Sequence, residues 1–100
     1  MRELLPQRRA SETFDMMWGG QNTKFTITLG RYEDGRVGEV FISGAKAGSE
    51  MEAVTRDGAI LLSLALQHRV PLSTIRHAVT RNGDGTASTI IGAIVDKVIK

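Results

Sequence analysis

Residues 24–44, KFTITLGRYEDGRVGEVFISG, constrain the fold more than any other stretch of the chain. Phe25, Ile27 and Leu29 alternate with Thr26 and Thr28, a period of two that sets the apolar residues on one face of a strand. Asp34-Gly35 predicts a type I′ hairpin turn, in which both central residues take positive φ. A two-residue loop then pairs Glu33 with Arg36, Tyr32 with Val37, Leu29 with Val40 and Ile27 with Ile42. In that register the apolar residues of both strands share a face and an opposite-charge pair closes the turn.

Upstream, Phe14, Met16 and Trp18 alternate in TFDMMW before a GGQN turn, which predicts a third strand and an antiparallel meander. After Gly48 the period becomes helical. Met51, Val54, Gly58, Leu61, Leu62 and Ala65 mark the expected buried face of a helix from about Glu50 to His68. AILLSLAL is apolar nearly all round, which makes this helix the expected central buried element, with Gly58 allowing close packing on the sheet. A short helix follows, with Pro71 at its first position and Leu72, Ile75 and Val79 on one face. RNGDG reads as a turn. Thr86 or Ser88 then caps a last helix whose stripe is Ile90, Ile91, Ile94, Val95 and Val98, with Lys97 and Lys100 at its negative end. The predicted fold is α+β: a three-stranded antiparallel meander followed by three helices packed on one face of the sheet. Residues 1–11 read as a flexible arm, and 12–100 as a single domain.

Chemistry is sparse. With no cysteine, disulfides, thiolate metal sites and thiol nucleophiles are excluded. The longest apolar run, Ala59 to Leu66, is interrupted by Ser63 and far shorter than the ~20 residues of a membrane span. The N-terminus lacks the apolar segment of a signal peptide, so a cytoplasmic protein with no membrane association is expected. A net charge of +2 is mild for a dedicated nucleic-acid binder.

GAKAGSEMEAV, residues 44–54, carries glycines, Lys46 and Ser49 at a strand-to-helix junction. The amides of a helix start, with a lysine near, suit a phosphate. Against this, the spacing is not that of a P-loop, and Glu50 and Glu52 already complement the helix dipole. Ser49 and Glu52 match a capping box, and the loop reads first as a turn. His68 and His77 are isolated, NGDGTAS lacks calcium-loop spacing, and no G-x-S-x-G elbow supports a nucleophilic serine. No catalytic, cofactor-binding or metal-ligating residue is therefore assigned. The residues with a candidate role in ligand or partner contact are Lys46, Gly48, Ser49, Arg76, Arg81, Arg8 and Arg9.

Taken together, GEVFI, the glycine–lysine loop, the long apolar helix and RVPLSTI occur in an order that resembles the TSCPD domain over about residues 24–98. That domain is found at the C-terminal end of adenosylcobalamin-dependent ribonucleotide reductases and in small stand-alone proteins. Where the family carries Thr-Ser-Cys-Pro-Asp, this chain reads GTAST, with Ala87 at the cysteine position. The reductase's barrel, radical cysteine and cobalamin site have no counterpart in 100 residues. The resemblance implies a stand-alone accessory domain for DNA biosynthesis, without cofactor and non-catalytic by itself. It would act by binding a protein partner or a nucleic acid linked to deoxynucleotide metabolism, and a reductase label would be inherited from the larger enzymes. Two other readings stand beside it. One is a module binding nucleotide or nucleic-acid phosphate through the Gly44–Ser49 loop and the arginines. The other is a homo-oligomer, self-associating through a second sheet face that carries Thr26, Thr28, Phe41, Tyr32 and Val37.

Overall fold

A computed structural model describes residues 1–20, 22–45 and 48–99 of the chain. The elements are β1 (Ser11–Trp18), β2 (Thr23–Arg31), β3 (Val37–Ser43), α1 (Glu50–Gln67), α2 (Leu72–Ala78) and α3 (Ile90–Val98). The three strands form one open antiparallel sheet in the order β1-β2-β3. Three helices follow, an α+β arrangement. The chain divides into two compact units, Met1–Arg69 and Val70–Lys100.

In the first unit Leu29 faces Val40 and Ile27 faces Ile42, as the alternation predicts. Phe25, Ile27, Leu29 and Val40 are buried, each contributing about 1.5–3 kcal/mol of apolar burial. Nearer the turn the register slips, so that Arg31 faces Val37 and Gly38 becomes an extra residue on β3. The Glu33–Arg36 and Tyr32–Val37 pairs of the sequence reading are thus replaced. Gly35 N–H donates to the Tyr32 carbonyl and Tyr32 N–H to the Arg36 carbonyl, both at 2.9 Å. Among the turn residues Gly35 alone takes positive φ, at +91°, so the loop has three residues: a type I turn closed by a left-handed glycine. Asp34 keeps negative φ, and its carboxylate accepts from the Arg36 amide (3.1 Å) and guanidinium (2.7 Å). At Gly38 a Cβ would lie 2.5 Å from the Tyr32 ring, so the bulge position has no room for a side chain.

Tyr32 and Val37 are buried, which removes them from the second sheet face. The N-terminal segment lies on Tyr32: its hydroxyl donates to the Glu3 carbonyl, and the Arg36 guanidinium stacks 4.5 Å from the ring centroid. Glu3 N–H donates to the Gln67 carbonyl at 2.7 Å, and the Glu3 carboxylate accepts from Arg36 at 3.0 Å. Hydrogen bonding from Arg36 is the main cause that holds the Glu3 carboxyl below its ordinary pKa.

α1 runs antiparallel to β3 and is tied to that strand's backbone. Ser63 Oγ accepts from Val40 N–H at 2.9 Å and donates to the Ala59 carbonyl at 2.8 Å. Gln67 Nε2 donates to the Gly38 carbonyl at 2.8 Å. These side chains occupy outward backbone groups of β3 at Gly38 and Val40, where another strand would otherwise pair. The helix face differs from the expected one accordingly. Thr55, Ala59, Leu62, Leu66 and Gln67 are buried, whereas Met51, Val54 and Leu61 are 59%, 60% and 67% exposed. Leu62 of the expected face is buried, but small and polar residues must face a strand edge whose N–H and C=O groups need partners, so apolar spacing alone turns the face away from Thr55, Ala59 and Gln67. The helix is covered along one side and is not the enclosed central element its composition suggests.

In the second unit Leu72, Ile75 and Val79 are half-buried and the rest of α2 is exposed. Pro71 is the residue just before α2, one place earlier than expected. α3 is capped by Thr89, whose hydroxyl accepts from Gly92 N–H at 3.1 Å. Thr86 and Ser88, the expected caps, are engaged in the preceding turn: Thr86 Oγ1 donates to Asp84 at 2.6 Å and Ser88 Oγ to Asn82 at 2.8 Å. Ile90, Ile94 and Val95 of the expected stripe are buried.

Candidate functional site

On the solvent side of the sheet, cross-strand rows run Thr13–Thr28–Phe41, Asp15–Thr26–Ser43 and Ser11–Gly30–Glu39. Every residue but Phe41 and Glu39 in these rows is short, so the Phe41 ring stands above the floor, 57% exposed. Thr13 and Thr28 hydroxyls bond across the strands at 3.1 Å, and Thr26 donates to Asp15 at 2.9 Å. Gly30 makes room for the Glu39 side chain, which lies over it and pairs with Arg9 Nε at 2.6 Å. Arg9 also donates to the Pro6 carbonyl.

Two hollows flank Phe41. One, of about 540 Å³, lies toward the N-terminal segment and is lined by Arg8, Arg9, Ser11, Thr28, Glu39 and Phe41 among others. The other, of about 360 Å³, lies between β3 and α1 and is lined by Arg2, Val40, Phe41, Arg56, Ile60 and Leu64 among others. Arg2 Nε donates to Gln67 Oε1, and Arg56 lies 3.9 Å from Glu52. Sequence reasoning placed Phe41 on this face but did not see the hollow beside α1. Its walls join residues far apart in the chain, and it forms only because α1 turns Ile60 and Leu64 toward β3.

The other candidate residues fall in separate places. Lys46 lies outside the described residues. Gly48 takes φ +78°, and its N–H donates to Glu52 Oε1 at 2.9 Å. The Ser49 side chain accepts from Glu52 N–H at 3.1 Å, the serine half of the capping box, while the Glu52 carboxylate reaches the Gly48 amide just before the cap. Glu52 thus places a carboxylate at the start of α1, where an anion would otherwise meet free amides. Arg76 and Arg81 converge in the second unit on one carboxylate: Arg81 bonds both oxygens of Asp96 at 2.6 and 2.7 Å, and Arg76 lies 3.3 Å away. Hydrogen bonding to Asp96 raises the Arg81 pKa. The residue missed from sequence is Asp96, fifteen positions from Arg81; its signal was the one acid on a mostly apolar helix.

The histidines have local partners as well. Nδ1 of His68 donates to the Leu64 carbonyl at 2.8 Å and Nδ1 of His77 to the Ser73 carbonyl at 2.7 Å. Among the described residues no three His, Asp or Glu side chains converge as metal ligands would. Among the same residues, no helix is long and apolar enough to cross a membrane. Ala87 is buried, its carbonyl accepting from Asn82 Nδ2 at 3.3 Å. Its Cβ would lie 3.1 Å from a Cβ built at Gly92, so the two small residues pack the turn against α3.

Comparison with known proteins gives these elements a family. The chain is 39% identical over 79 residues to a vitamin B12-dependent ribonucleotide reductase of Bradyrhizobium diazoefficiens. It is 40% identical over 79 residues to the enzyme of that name in Agrobacterium fabrum. Each match covers 79% of this chain and 6% of the reductase. A third, from Rhodopirellula baltica, is 39% identical over 74 residues, covering 74% of the chain and 7% of the relative. The chain therefore spans a small fraction of the length of these enzymes. No solved structure is a significant match. The profile of the TSCPD domain matches residues 2–100, the N-terminal segment with the sheet and all three helices, and the chain belongs to the TSCPD domain family.

Proposed function

We propose that this TSCPD domain is a cytoplasmic accessory module of deoxynucleotide metabolism, acting by contact with a protein partner or nucleic acid and turning over no substrate alone. The observation that carries this reading is the correspondence of most of the chain to about 6% of vitamin B12-dependent ribonucleotide reductases. The side chains support it. Groups with the chemistry for acid–base or anion work hold the fold together: Glu52 caps α1, Asp96 joins two arginines, and each histidine bonds its own helix. The direct test assays the purified chain for ribonucleotide reduction and uses it as bait in a lysate of its host. No turnover, with capture of an enzyme of deoxynucleotide synthesis or of DNA, is the expected result; reduction by the chain alone would refute the proposal.

Self-association is a second reading, favoured by the exposed Met51, Val54 and Leu61 on α1. Light scattering at high concentration distinguishes it, since a strict monomer would remove it.

A further inference from the structure

We infer that the solvent face of the sheet is a stacking platform for single-stranded DNA, centred on Phe41. The inference rests on the accessory reading above and names the partner of this surface.

Phe41 stands 57% exposed on a floor of threonine, serine and glycine, a flat setting in which a base can lie on the ring. The sheets of RNA-recognition domains stack bases of single strands on aromatic residues in this way. Cationic hollows lie on both sides of the ring. Their linings include four arginines (Arg2, Arg8, Arg9 and Arg56) against one carboxylate, Glu39, which Arg9 already neutralises. A strand stacked on Phe41 would therefore have cationic charge along its backbone in both directions. Asp15 lies in the row at the β1 end of the floor and repels phosphate there, which directs the path over Thr28 and Phe41 toward Arg56.

An acidic peptide shares the charge match but has less to hold. Peptides that bind sheets add a strand at a free edge. At the β3 edge beside Phe41, Ser63 occupies the Val40 amide and Gln67 the Gly38 carbonyl, so an added strand would have to pair at the β1 edge, away from the ring. The exposed ring and the arginines remain, and a nucleic acid uses both.

The test is fluorescence anisotropy of a fluorescein-labelled oligothymidylate titrated with the full chain at low and moderate salt. Binding at low salt is expected. With three arginine–phosphate contacts, log K should fall against log salt with a slope of roughly −2. Phe41→Ala should weaken binding about tenfold or more, and Arg8→Ala should reduce the slope by roughly 0.7. Circular dichroism checks each variant. Should Phe41→Ala be unfolded, the pair Phe41→Trp and Phe41→Leu decides: tryptophan retains affinity and leucine loses it if the ring stacks. No binding at low salt, or equal affinity of wild type and ring-deleted variant, overturns the inference. Failure of oligothymidylate binding together with capture of a reductase would overturn this inference while leaving the accessory reading intact.

Discussion

The two sides of β3 meet different fates. Toward α1, its outward backbone groups are matched by polar side chains: the Gly38 carbonyl by Gln67 and the Val40 amide by Ser63. Toward solvent, Phe41 stands on a floor of short side chains between hollows rimmed by arginine. One side has almost every group engaged in holding the fold. The other leaves an apolar ring exposed among arginines, of which Arg9 pairs with Glu39 and Arg2 with Gln67, and that contrast is why the proposed binding surface is placed there.

Deleting packing on the engaged side should have the largest effect. Leu62→Ala removes a buried side chain of α1 and should cost about 2–5 kcal/mol in urea unfolding. Next is Gln67→Ala, which leaves the Gly38 carbonyl buried and unpaired, at about 1–3 kcal/mol by the same measurement. At the outward side of α1 the account predicts almost nothing: Leu61→Ala, at a position 67% exposed, should stay within about 0.5 kcal/mol of wild type. A loss at Leu61 equal to that at Leu62 would erase the contrast between the two sides of the helix.

Acid sharpens the comparison further. Glu3 sits below its ordinary pKa because Arg36 hydrogen-bonds its carboxylate. A depressed folded pKa adds stability that is present above the unfolded value and is lost as pH falls through the folded value. The expected result, read by thermal melts across the carboxylate range, is a small, progressive loss on acidification that Glu3→Gln reduces. Asp34 and Asp84 are held below their ordinary pKa as well, by hydrogen bonds from Arg36 and Thr86.

The strand pairing could be read from sequence because alternation fixes which residues share a face. Leu29–Val40 and Ile27–Ile42 followed from it directly. The turn did not, since Asp34-Gly35 suits both a two-residue loop and a type I turn ending in a left-handed glycine. The choice rests on the bulge at Gly38 and the Tyr32 ring beside it. Sequence also named the Ser49–Glu52 cap, a local device, but chose Thr86 or Ser88 over Thr89 because three hydroxyls compete within four residues. The buried face of α1 was misjudged for a different reason. Helical periodicity counts apolar side chains, while this helix is oriented by the hydrogen-bonding needs of a strand edge. The groove beside Phe41 inherits that difficulty, since its far wall depends on the orientation of α1.

The most direct measurement compares wild type with Phe41→Ala twice, once by urea unfolding and once by oligothymidylate anisotropy. The account predicts an unfolding midpoint little changed and binding weakened about tenfold or more. A variant that loses stability while binding as wild type does would show Phe41 to be structural and contradict it.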